Sequence, residues 1–157
     1  MSHSLLRECE GAALRILALR DHSSHELAQK LRQRFECDTE SLALLFERLQ
    51  ALGYLDDLRF AQAFIRASIA RGRGLQRIKH DLQTKGVEQA LIEQALTEAD
   101  VDWLQLASAQ RIKKFGKLLP TDFKERARQS RFLAGRGFST DTIRAVFQYH
   151  PDDDWVG

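Results

Sequence analysis

Apolar residues recur at spacings of three and four from Ser4 almost to the C-terminus, and no window sustains the alternation of a strand. The sharpest pattern spans residues 49 to 65, where two amphipathic helices meet across a short joint. Leu42, Leu45, Phe46 and Leu49 form the stripe of the first helix, and Gly53 stands where a left-handed residue would close it. Asp56 and Asp57 offer side-chain oxygens to the free N–H groups of the next helix, expected from Leu58, and their charge suits its positive end. Tyr54 and Leu55, just outside this double cap, are placed to pack on Phe60 or Ala61 as a hydrophobic staple. The joint of Gly53, Tyr54, Leu55, Asp56, Asp57 and Phe60 is therefore expected to be rigid.

The rest of the chain reads as more of the same. Leu5, Leu6, Ala12, Ala13, Ile16 and Leu17 share a face of a first helix, and Ser23 with Glu26 has the spacing of a capping box for a second. Helices with Leu75, Ile78 and Leu82, and with Leu91, Ile92 and Leu96, follow the joint; three more are expected beyond Asp100, the last from Ser139 to Gln148. The units align at a fixed offset: Leu31, Leu82 and Leu133 are 82 − 31 = 51 and 133 − 82 = 51 residues apart, and Gly86 and Gly137, or Ile92 and Ile143, keep that spacing. Such self-similarity marks stacked supersecondary units. The expected fold is all-α, three tandem three-helix repeats forming an elongated curved stack: residues 1–57, 58–100 and 101–150, with 151–157 as a tail. In the first repeat Ser41 and Phe35 break the pattern, which predicts a third helix slipped by one residue.

Composition narrows the function. With 43% apolar residues in 157 the chain can build a core, and with only Pro120 and Pro151 to interrupt it, helix formers run nearly unbroken. No apolar run is long enough to cross a bilayer and the N-terminus lacks a leader pattern, so a cytoplasmic protein with no membrane partner is expected. Cys9 and Cys37 then read as small buried thiols without a disulfide. With His22 and His25 they match no common zinc spacing, and the two histidines read as surface residues at a helix start; no metal is expected. Gly72-Arg73-Gly74 and Gly135-Arg136-Gly137 lack the lysine of a phosphate loop and read as helix ends, and no nucleophile stands in a triad context. Neither an enzyme, nor a cofactor, nor a small-molecule substrate is indicated.

The formal net charge of +2 hides an ordered distribution. Arg59, Arg66 and Arg73 are spaced by sevens, with Arg71, Arg77, Lys79 and Lys85 near them; Arg111, Lys113, Lys114 and Lys117 follow, then Lys124, Arg128, Arg131 and Arg136. Glu88, Glu93, Glu98, Asp100 and Asp102 gather the opposite sign between these stripes. A merely solvated face is one reading; contact with DNA or with an acidic protein surface is the sharper one. Leu82 to Leu96 also has the form of a helix-turn-helix, the alternative being a protein acting directly on duplex DNA. Its second helix, however, carries Glu88 and Glu93 and no Lys or Arg, the wrong sign for phosphates.

Four stretches together resemble the RecX family of recombination regulators: Arg20-Asp21-His22-Ser23-Ser24-His25-Glu26-Leu27, the joint from Gly53 to Ala61, Arg77-Ile78-Lys79-His80-Asp81-Leu82-Gln83-Thr84-Lys85-Gly86, and Arg131-Phe132-Leu133-Ala134-Gly135-Arg136-Gly137-Phe138. The resemblance runs from about residue 10 to residue 148. It implies a non-enzymatic modulator of the RecA recombinase in DNA repair and the SOS response. Such a protein binds the RecA–DNA filament along its groove and inhibits its ATPase, coprotease and strand-exchange activities, with DNA as a weak, non-specific partner. Blocking filament growth, wedging protomers apart and occluding the second DNA strand all remain open. The family transfers no catalytic signature, so the contact candidates rest on the basic stripes.

Overall fold

The computed structural model describes residues 2–148, and among them the regular structure is entirely α-helical. Nine helices follow one another among the described residues: α1 (His3–Leu19), α2 (Ser24–Arg34), α3 (Thr39–Ala51), α4 (Asp57–Ala70), α5 (Leu75–Thr84), α6 (Gln89–Ala99), α7 (Trp103–Phe115), α8 (Phe123–Gly135) and α9 (Thr140–Gln148). Short polar residues start them. Ser2, Asp38, Asp102 and Asp122 each accept an N–H from the first turn, and Ser23 and Glu26 complete the capping box.

The described chain gathers into two compact units, one from the N-terminal part up to Phe64 together with Leu82–Glu98, the other from Ile65–Asp81 together with the chain from Ala99 onward. In the first unit Cys9, Ala12 and Ala13 of α1, Leu27 and Leu31 of α2, Leu42, Leu45 and Leu49 of α3, and Leu55 share one core. Their positions are the three-and-four spacings of the sequence, and each buried leucine is worth roughly 2 kcal/mol. The slip expected in the first repeat is present. Leu42 and Leu45 are buried while Leu44 is 68% exposed, and in α6 it is Ile92 and Ala95 that are buried. The matching positions are thus one residue closer than the general offset. Phe35 ends α2 in extended backbone, with no left-handed turn.

In the second unit Ala107 of α7, Leu133 of α8, Phe138, and Val146 of α9 form the core, with Trp103, Leu104, Leu106, Phe132 and Ile143 packed on it. Here the two Gly-Arg-Gly segments, expected as helix ends, meet. Gly74 donates its N–H to the Arg136 carbonyl at 2.7 Å, and Gln76 donates to the Gly137 carbonyl at 2.9 Å.

The joint divides its carboxylates differently from the double cap predicted. Asp56 caps α4, accepting the Arg59 N–H at 3.0 Å. Asp57 is already helical and turns instead to α2, where its Oδ1 accepts the Ser24 N–H at 2.7 Å and the Ser24 hydroxyl at 3.0 Å. Its charge therefore sits at the positive end of α2. Gly53 takes the left-handed φ of 81° expected of it, Leu55 and Phe60 are buried, and Tyr54 remains half exposed. His22, expected at the surface, is buried with Nδ1 3.0 Å from the Arg20 carbonyl and Nε2 2.6 Å from Lys30 Nζ.

Candidate functional site

The basic residues of the stripes do not share one environment. Arg59 is committed within the first unit: its Nε and Nη2 donate to the Asp21 carboxylate at 3.1 and 3.0 Å, and its Nη1 to the Gly53 carbonyl at 2.9 Å. The Asp21 hydrogen bonds hold its pKa above the usual arginine value. Lys85 lies 3.5 Å from Glu26 and 5.7 Å from the Phe64 ring, Arg77 pairs with Asp81 at 3.7 Å, and Arg128 pairs with Glu125 at 3.0 Å. Arg66 is exposed on α4, Arg73 and Lys79 are half-buried, and Lys117, Lys124 and Arg131 are exposed.

Four of the remaining cations come together in the second unit. Arg71, just past α4, Lys113 and Lys114 in the last turn of α7, and Arg136 at the end of α8 line a polar cleft of about 320 Å³ with Ala70, Gln110 and Phe132. The end of α7 is a favourable place for two lysines, because the unpaired carbonyls there carry partial negative charge. Two phenylalanines brace the charges. Lys114 Nζ lies 5.6 Å and Arg136 Cζ 5.2 Å from the Phe132 ring centroid. Phe132 meets Phe115 edge-on at 5.3 Å, and Arg128 Cζ lies 5.2 Å from Phe115. Cation–π contacts of this kind hold a guanidinium or ammonium in place without neutralising it. Among the described residues no carboxylate pairs with Arg71, Lys113, Lys114 or Arg136. Gln110 closes over the α4–α5 turn, where a Cβ on Gly72 would stand 2.3 Å from its side-chain atoms.

Arg111 departs from the surface stripe in which its charge placed it. It is 3% exposed, and its guanidinium donates to the carbonyls of Lys117 and Leu118 at 3.2 and 3.3 Å and to Gln129 Oε1 at 3.3 Å. Among the described residues no carboxylate offsets its burial, which pushes its pKa below the ordinary arginine value. Its spacing of four from the buried Ala107 placed it on the core face all along. The bracing role of Phe115 and Phe132 also escaped a reading by charge, although Phe132 and Arg136 share the same spacing of four. Among the described residues no three His, Cys, Asp or Glu side chains are placed to hold a metal ion, and no helix is long and apolar enough to cross a membrane.

The three domains of one family match the chain in order: RecX, first three-helix domain, at residues 9–38; RecX, second three-helix domain, at 56–96; and RecX, third three-helix domain, at 100–147. The chain belongs to the RecX family. Regulatory protein RecX of Halorhodospira halophila is 43% identical over 146 residues, covering 93% of this chain and 90% of the relative. Those of Vibrio vulnificus and Escherichia coli strain HS are 37% and 36% identical, covering 88% and 89% of this chain and 90% of each relative. The crystal structure of RecX from Lactobacillus salivarius superposes with a TM-score of 0.80 over 94% of this chain and 97% of that one, at 19% identity. The three tandem three-helix repeats expected from the 51-residue offset are thus the RecX fold.

Proposed function

We propose that this RecX-family protein binds the RecA–DNA filament and lowers its ATP hydrolysis, coprotease activity and strand exchange. The observation that carries the proposal is the cleft of Arg71, Lys113, Lys114 and Arg136: four cations with no carboxylate partner among the described residues, two of them, Lys114 and Arg136, seated on the Phe132 ring. Such a cluster is poised to meet phosphates or an acidic protein face, and a DNA-wrapped protein filament offers both. The relatives' name, regulatory protein RecX, supports a regulatory rather than a catalytic role. Three repeats allow several weak contacts to act together on a repeating partner.

Direct reading of duplex sequence by α6 is disfavoured, because Glu88, just before it, and Glu93, within it, are exposed. The test is RecA's DNA-dependent ATP hydrolysis titrated with this protein at fixed DNA and salt. Inhibition below one molecule per recombinase protomer is expected. No inhibition at saturation, together with preference for one duplex sequence, would reject the filament in favour of direct duplex binding.

A further inference from the structure

The two cysteines of the chain lie side by side. Cys9, wholly buried on α1 between the first turns and Ala12, has its Sγ 3.6 Å from the Sγ of Cys37, and both are free thiols. Cys37 is partly exposed and sits in the non-helical link between α2 and α3. A disulfide needs about 2.05 Å between sulfurs, so closure calls for a shift of about 1.5 Å. The two ends differ in their capacity to supply it: Cys9 is held within α1 and its packed face, whereas Cys37 lies outside any helix, between the last turn of α2 and the cap of α3.

We propose that Cys9 and Cys37 are a reversible dithiol–disulfide pair, a covalent modification site that clasps α1 to the α2–α3 link. The oxidant class is a low-molecular-weight disulfide. The Cys37 thiolate attacks one sulfur of that disulfide, releasing one small thiolate and leaving a mixed disulfide on Cys37. Cys9 then attacks the Cys37 sulfur, and the second small thiolate departs with the proton that Cys9 gives up. Two protein thiols are oxidised and one small disulfide is reduced to two thiols. The order is set by environment. Burial, with Cys37 adding to it, pushes the Cys9 pKa up to about 12, so the buried thiol is a poor first nucleophile and acts as the resolving partner.

The bond would close a loop between positions 28 apart that contains the whole of α2. Restricting that loop in the unfolded chain raises the melting temperature by about 5–10 °C for a protein of this size.

The reduced full chain is incubated with oxidised glutathione, alkylated, and examined by intact mass, peptide mapping and thermal melting. The expected product has both thiols lost together in one intrachain Cys9–Cys37 bond, a melting temperature raised by about 5–10 °C, and full reversal by dithiothreitol. Cys9→Ala, close in volume, is expected to stop at a glutathione adduct on Cys37, while Cys37→Ser leaves Cys9 unmodified in the folded state. A wild-type protein that itself stops at the Cys37 adduct, with Cys9 still free, overturns the proposal. So does a product that is mainly disulfide-linked dimer.

Discussion

Gly74 donates its backbone N–H to the carbonyl of Arg136 at 2.7 Å, and 51 residues earlier in both partners (74 − 23 and 136 − 85) Ser23 donates its hydroxyl to the carbonyl of Lys85 at 2.6 Å. The same contact is thus made twice, once in each unit, between the start of one repeat's middle helix and the turn that ends the next repeat's middle helix. The chemistry differs because Ser23 must also cap α2, its Oγ accepting the Glu26 N–H at 3.1 Å. Ser23→Ala loses a cap and leaves the part-buried Lys85 carbonyl without its donor, and is expected to cost about 2 kcal/mol in urea unfolding. Asp38→Ala, at the exposed cap of α3, is expected to cost less.

The turn glycines of this contact leave no space for a side chain. A Cβ on Gly137 would stand 2.3 Å from Arg77 Cβ and 2.8 Å from its backbone nitrogen, and one on Gly86 would stand 2.3 Å from His25 Cβ. Gly53 shares their left-handed backbone, but nothing lies within 4 Å of where its Cβ would be. Gly53→Ala is therefore expected to cost about 1 kcal/mol from backbone strain alone, and Gly137→Ala more than about 3 kcal/mol. Chemical unfolding of the two variants measures the difference. Equal losses would mean that the turn relaxes freely around Arg77.

Arg111 gives a second stability test. Its Nη atoms bridge Gln129 and the carbonyls of Lys117 and Leu118, so truncation leaves three acceptors without their donor along with a cavity. Arg111→Ala is expected to lose about 3 kcal/mol. Arg111→Lys recovers only part of it, since a single ammonium on a flexible stem cannot reproduce the fork. Full rescue by lysine would show that charge alone, without the fork geometry, is what the site needs.

Two acid-side windows follow from the buried start of α2. Burial, ahead of the opposing pull of the Arg20 carbonyl, lowers the His22 pKa below 6.5, with the Arg20 and Lys30 cations acting in the same direction and Glu26 against them. The unfolded state binds the proton more readily, so this contribution to stability is present above pH 6.5 and is lost as the pH falls below it. The Glu26 pKa is also lowered: burial pushes it up, but the Arg20 and Ser23 hydrogen bonds and the Lys85 charge outweigh burial, so a further loss follows as the pH falls through the carboxylate range. Melting temperature measured from pH 7.5 to 4 should show both steps, and His22→Gln should remove the first while leaving the second.

How far the sequence carried this far depended on whether a residue's partner was near it in the chain. The helices, the capping box at Ser23 and Glu26, the left-handed Gly53 and the slip in α3 are all set by spacings of a few residues, and each was legible. Asp57 was not: its local position is that of a cap for α4, but its carboxylate serves Ser24, which is 33 residues away. Arg111 was misplaced because polar type was read without helical phase, and His22, in the link before α2, because its burial depends on packing rather than on local spacing. The cleft lay between these extremes. Lys113, Lys114 and Arg136 were visible as charge, but their convergence with Arg71 depends on the packing of α7 and α8.

That convergence is what the last experiment measures. If each of the four cleft cations meets a phosphate, the logarithm of affinity for random single-stranded DNA falls against log salt with a slope near −3, about 0.7 per contact. Lys113→Ala with Lys114→Ala is expected to reduce the slope by about 1.4, because two counterion releases are lost. Both lysines are exposed at a helix end, so the fold should tolerate the change. Lys124→Ala, exposed on α8 outside the cleft, should leave the slope nearly unchanged. The same variants in the ATPase titration separate the cleft's two candidate partners. A slope and an inhibition that fall together place DNA in the cleft. Full inhibition with a reduced slope keeps DNA in the cleft and assigns the recombinase to another face, with exposed Arg66 the first position to reverse.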